Sequence, residues 1–219
     1  MPRLVFCKTD DAVWMSHLDL MRLFQRAFKR AGLPLTHTQG FNPRPSVSIA
    51  LPLSVGVESI CELLDFDLEG EKIPCAEIVR RLNDVLVKGI TVLDCQEDCR
   101  KIRDIAFLDC VLTLEYDQGI EEDKVQTISA LFRRESILLE KKSKNGITEQ
   151  DIIPMIRRIE ICKQDSNNVV LDALICCQNP TLNPMQLTSA IACYLPDFIP
   201  NFSRCRRLEI YDSDENVFR

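Results

Sequence analysis

The clearest periodic segment runs from residue 16 to residue 31. Leu20, Leu23, Phe24, Ala27, Phe28 and Ala31 recur at three- and four-residue spacing, which predicts a helix with one apolar stripe. Ser16 suits the N-cap, and Asp19 stands three residues later where a capping partner belongs. Gly32 permits a left-handed stop and Pro34 prevents resumption. Before this helix, Arg3 to Lys8 reads as a short strand. After it, strands are expected at 46–54 and 60–68, a helix at 74–87 with Ile78, Val79, Leu82, Val85 and Leu86 inward, and a strand at 90–95. The order is βαββαβ, the ferredoxin-like motif.

The order recurs after a polar link at 96–104. Strand 105–116, helix 121–134 and strand 136–141 lead to a basic turn at 141–146. The segment 150–163 reads equally as a helical turn or a strand. Strand 168–177, helix 183–194 and strand 205–211 follow. The pattern therefore predicts an α+β chain of two ferredoxin-like βαββαβ units packed as a pseudo-repeat, residues 1–100 and 101–219. The repeat is one of element order and not of residues, and a single mixed α+β domain is the alternative.

Apolar residues make up 46% of the 219, enough for a sizeable core, but no apolar run approaches the roughly 18–20 residues that span a membrane. The first ten residues turn charged too soon for a secretory signal, so the expected location is the cytoplasm with no membrane association. In that compartment the 11 cysteines are expected to be reduced thiols, several of them small hydrophobes in apolar runs such as Ala-Leu-Ile-Cys176-Cys177. Cys95, Cys99 and Cys110 lack the second close pair of a structural zinc site, so no metal and no cofactor are expected.

The net charge of −6 is unevenly spread. Residues 1–57 carry seven Lys/Arg against three Asp, a surplus of four positive charges in an otherwise acidic chain. A basic first quarter suggests a local site for an anionic partner, weighed against chance clustering of surface charge. Arg22, Arg26, Lys29 and Arg30 lie off the apolar stripe, and the spacing of Arg22, Arg26 and Lys29 places them along one side of the helix. The loop 36–45 is stiffened by Pro43 and Pro45 and bends at Gly40; it offers Phe41, Asn42 and Arg44, types suited to stacking on a base and pairing with a phosphate. The alternative is a rigid crossover whose Phe41 plugs the core. His17, at the first helical position, can take or relay a proton, with Asp10 or Asp19 as its acidic partner; the alternative is an ordinary packing residue at a helix start. No glycine-rich phosphate loop, nucleophile elbow or H-E-x-x-H is present.

The strings Met15-Ser-His-Leu-Asp-Leu-Met-Arg22, Arg26 to Pro34, Gly40-Phe-Asn-Pro-Arg-Pro45 and Pro52 to Ser59, with Lys141 to Gly146, Asp151-Ile-Ile-Pro154 and more loosely Asn183-Pro184, resemble the radical-SAM-linked domain of unknown function 2344. The resemblance implies a partner, a radical SAM protein that often carries a cobalamin-type domain, and names no reaction. Members of that family usually have a Gly-containing turn before the Ser-His-Leu motif, whereas this chain has Thr9-Asp10-Asp11-Ala12. The reading that follows is an accessory RNA-binding protein working with a radical SAM enzyme in RNA modification or processing. A His-dependent RNA-processing or RNA-modifying enzyme and a protein-interaction module without nucleic acid remain the alternatives.

Overall fold

The computed structural model describes residues 1–143 and 146–219. Lys144 and Asn145, at the tip of the expected basic turn, lie outside the described residues, as do the side chains of 141–143. The chain is mixed α+β and divides into two compact units, Met1–Asp104 with Phe218–Arg219, and Ile105–Val217.

The first unit holds strands β1 (Arg3–Lys8), β2 (Val47–Ile49), β3 (Val57–Phe66) and β4 (Ile90–Gln96) and helices α1 (His17–Arg30) and α2 (Cys75–Asn83). Its strands run in the order β4–β1–β3–β2, each pair antiparallel. Leu4 and Phe6 of β1 and Leu64 and Phe66 of β3 share one sheet face with Leu20, Phe24, Ala27 and Phe28 of α1 and Ile78 and Leu82 of α2, and together they form the core of this unit. Two aromatic contacts tie α1 down: Phe24 meets Phe6 edge-on at 4.7 Å between ring centroids, and Phe28 meets Phe66 at 5.0 Å. Each side chain is fully buried, so the stripe read from the sequence is the packed face.

Three elements of this unit depart most from the sequence reading. β2 is three residues long rather than 46–54, because the chain turns away through Pro52 after Ile49. β3 starts at Val57, where Gly56, at φ +80, ends the turn. α2 stops at Asn83, not at residue 87. The Asn83 amide donates to the carbonyl of Val92 at 2.9 Å and accepts from its N–H at 2.8 Å, clasping the helix end to β4. A side chain that bonds backbone outside its own helix competes with helix continuation.

The second unit holds β5 (Phe107–Glu115), α3 (Glu122–Leu131), β6 (Leu138–Ser143), β7 (Gly146–Asp151), β8 (Ile156–Lys163), β9 (Asn168–Cys176), α4 (Met185–Tyr194) and β10 (Phe202–Tyr211). Its main sheet runs β10–β5–β9–β8, again antiparallel throughout. The strand expected at 136–141 exists as β6, but it pairs with β7 in a separate two-stranded ribbon. The second strand of the sheet is instead β8, within the segment that read equally as helix or strand. β7 is exposed over its first four residues, so it has little apolar surface to pack into a sheet face.

β5 alternates strictly: Leu108, Cys110, Leu112 and Leu114 are buried, and Asp109 faces the other way beside Asp172 of β9 and Arg158 of β8. Burial, reinforced by the neighbouring Asp172 and opposed by Arg158, pushes the Asp109 carboxyl above the usual range. A carboxyl whose folded pKa is raised gives stability that is complete below the unfolded value and is lost as pH rises through the folded one. Asp109→Asn is therefore expected to raise the melting temperature at neutral pH, with a gain that shrinks as pH falls below the unfolded aspartate range, about 4. Melts at pH 7 and pH 3.5 test this; an equal gain at both would mean that charge is not the cause.

Candidate nucleic-acid interface

The turn before α1 is set by a contact distant in sequence. Residues Asp10–Trp14 form a short 3-10 helix, and Thr9 donates its N–H to the carbonyl of Gly89 at 2.8 Å. Asp10 takes φ +49, a left-handed conformation that glycine adopts readily and aspartate tolerates.

Ser16 caps α1: its Oγ accepts the Asp19 N–H at 3.2 Å, and its hydroxyl donates to Asp19 Oδ2 at 2.7 Å. Arg22 donates to Asp19 Oδ1 at 3.2 Å. The Ser16 hydroxyl, with Arg22 and Arg26 adding, holds the Asp19 carboxyl below its usual range against the cost of burial. At the other end Gly32, at φ +66, closes the helix: Leu33 N–H bonds the Phe28 carbonyl at 2.9 Å and Gly32 N–H that of Lys29 at 3.3 Å, a Schellman stop.

Two grooves flank the helix. In the first, about 350 Å³, Arg22, Arg26 and Arg30 stand over an apolar floor that includes Leu23, Ala27 and Val85 to Val87. Residues four apart on a helix rise by about 6 Å, so the three guanidiniums form a rail about 12 Å long measured along the backbone. Arg22 is tied to Asp19, while Arg26 and Arg30 make no hydrogen bond or ion pair with any described residue. Lys29 does not share this groove; it lines the second, about 450 Å³, with Gln25, Leu33, Leu35, His37 and Glu69. The sequence placed Arg22, Arg26 and Lys29 on one side. The structure groups the three arginines, because the segment 85–87 packs beside that flank of α1 and encloses it.

The loop with Phe41, Asn42 and Arg44 is a small hairpin. Ser46 N–H bonds the Thr36 carbonyl and Thr38 N–H that of Arg44, both at 2.8 Å, and Arg44 N–H reaches Thr38 Oγ1 at 3.0 Å. Thr36 anchors the base, its hydroxyl donating to Asp67 Oδ2 at 2.9 Å. Phe41 sits at the tip, fully exposed, so it is no core plug. Asn42 and Arg44 are exposed as well.

His17 is the first residue of α1, half-buried, with Nδ1 enclosed and without a hydrogen-bond partner. Among the described residues no hydrogen bond or ion pair joins it to Asp10 or Asp19. Cys95 and Cys99 lie in the first unit and Cys110 in the second; all 11 cysteines are free thiols. No described group of three His, Cys, Asp or Glu side chains is arranged to hold a metal ion, and no described helix is long and apolar enough to cross a membrane. The sequence reading set Val85 and Leu86 inward without connecting them to the arginines of α1, and it did not bring Lys29 together with Gln25, His37 and Glu69. Glu69 carries no local mark; the pairing of Leu35 with Leu68 and the bond from its own N–H to the Pro34 carbonyl bring it to α1.

The fold and grooves define a two-unit, antiparallel α+β protein with an arginine-lined cleft on its first helix. Its sequence matches the model of an uncharacterized protein family conserved in bacteria, DUF2344, over residues 2–184, and the chain belongs to that family. No curated protein matches it. Among solved structures it is similar to a chain of a Cbf5–Nop10–Gar1 complex, at 10% identity over 98% of this chain and 50% of that one, with a TM-score of 0.54. A chain of the archaeal box H/ACA sRNP Nop10–Cbf5 complex is similar at 10% identity over 94% of this chain and 46% of that one, with a TM-score of 0.48. The chain thus spans about half the length of these two neighbours, and the likeness to the first is one of fold.

Proposed function

We propose that this chain is an accessory RNA-binding protein that works beside a radical SAM enzyme, the partner its family resemblance implies. The observation that carries the RNA reading is the arginine rail: two unpaired guanidiniums, Arg26 and Arg30, in line with Arg22 over an apolar floor. Unpaired guanidiniums are suited to bidentate pairing with phosphates. The apolar floor suits ribose and base surfaces, and the exposed Phe41 on its stiff hairpin suits stacking on a base. We further propose that each unit is a ferredoxin-like repeat, the second with the β6–β7 ribbon inserted. Taken in chain order within its unit, each main sheet runs fourth–first–third–second strand, which supports that reading.

The test is fluorescence anisotropy with a labelled single-stranded RNA across a salt series. Three phosphate contacts give a slope of about −2 in log affinity against log salt. Arg26→Glu with Arg30→Glu is expected to flatten that slope and weaken every sequence alike, whereas Phe41→Ala costs about 1–3 kcal/mol through lost stacking. Absence of binding at low salt, or indifference to the charge reversals, would remove the RNA reading and favour a protein-interaction surface. Co-purification with the radical SAM enzyme encoded nearest to it tests the partner.

A further inference from the structure

We infer that the second groove beside α1 is a guanine-recognition site, with Glu69 as the residue that selects the base. The assignment rests on the RNA reading for the source of its ligand. At about 450 Å³ it is larger than the arginine-lined groove, and its floor is apolar, with Leu33 and Leu35 buried and Pro45 beside them, a surface for a flat ring. At the rim stand Glu69, His37, Gln25 and Lys29.

Glu69 is the informative member. Its backbone is fixed, because its N–H bonds the Pro34 carbonyl at 2.8 Å and Leu68 bridges Leu35. Its Oε1 lies 3.9 Å from His37 Nδ1, leaving the carboxylate with acceptor capacity facing the groove. An ionised carboxylate only accepts hydrogen bonds, and its two oxygens match a pair of adjacent N–H donors. Guanine offers such a pair on one edge, N1–H and N2–H. Adenine sets its amino group beside the N1 acceptor, cytosine sets its amino group beside N3, and uracil flanks its single N–H with two carbonyls. A purely phosphate-binding groove would have no use for a carboxylate, which repels the phosphate. Lys29 and Gln25, free of hydrogen bonds to described residues, are placed to meet the attached phosphate and the remaining acceptors of the base. The groove also opens beside the hairpin that carries Phe41, so a neighbouring base has a stacking surface.

The experiment uses the full chain and labelled single-stranded RNA octamers that differ at one position: guanine, inosine, adenine or uracil. One good bidentate pair corresponds to about tenfold discrimination or more. Guanine should bind tightest, inosine, which lacks the 2-amino group, in between, and adenine and uracil weakest. Glu69→Gln should erase the order, with the tightness of guanine over adenine and uracil lost. Equal affinity for all four, or an order that survives Glu69→Gln, overturns the guanine site and leaves the RNA reading standing. A guanosine 5′-monophosphate titration followed by NMR separates the remaining case. Shifts at Gln25 and His37 without binding of any octamer would keep the site and remove the RNA reading, and absence of both would overturn the two together.

Discussion

Gly89→Ala is expected to lower the unfolding free energy by about 2–5 kcal/mol, from left-handed strain and forced overlap together. Gly89 has φ +85, and a Cβ there would lie 2.5 Å from the Thr9 carbonyl oxygen and 2.9 Å from the Ala12 Cβ. Thr9 cannot give way, because its own N–H bonds the Gly89 carbonyl at 2.8 Å and it starts the turn into α1. Gly70 supplies the control: it has φ +88, with nothing within 4 Å of a Cβ. Gly70→Ala should cost only the strain, so the difference between the two variants isolates the overlap. Urea unfolding measures both; equal losses would show that the turn at 9–12 moves aside freely.

Asp65→Ala is expected to cost about 3–5 kcal/mol, because it strands a buried charge. Arg3 is 3% exposed and forms a bidentate pair with Asp65, Nε to Oδ1 at 2.6 Å and Nη2 to Oδ2 at 3.1 Å. Its Nη2 also donates to the Arg100 carbonyl at 2.9 Å, and its guanidinium lies 5.2 Å from the Phe218 ring centroid. Nη1 is buried without a partner, so losing Asp65 leaves a cation with one carbonyl bond and an aromatic face. Replacing the pair as a unit, Arg3→Met with Asp65→Leu, should be far milder, since no charge remains to be desolvated. A double variant as damaged as Asp65→Ala alone would assign the cost to packing and not to charge.

The pair also illustrates what sequence can and cannot convey. α1 was legible almost to the residue, since its cap, stripe and glycine stop are local signals between Ser16 and Gly32. β6 was legible as a strand, but its partner was not, because alternation indicates extended backbone and says nothing about pairing. Likewise the helical spacing of Arg22, Arg26 and Lys29 was correct as angles on a wheel, yet which of them share a groove depends on Val85 to Val87, some sixty residues on. Asn83 ended α2 by bonding Val92, a contact that no helix propensity encodes. Arg3 read as the start of a short strand and one charge in a basic segment, and its burial follows from Asp65, Arg100 and Phe218 together.

The chain has a single tryptophan, and its position makes it an optical reporter. Trp14 ends the turn that Thr9 and Gly89 hold in place, is 62% exposed, and has its ring beside Gly56 at the start of β3. Its neighbour Met15 lines the arginine groove. Emission excited selectively at tryptophan, and not at the three tyrosines, therefore comes from one place, three residues before the first helix, and a solvent-facing indole there emits toward the red. Quenching by iodide or acrylamide should accordingly read out the state of that turn without any label, so occupancy of the neighbouring cleft can be followed on the unmodified protein.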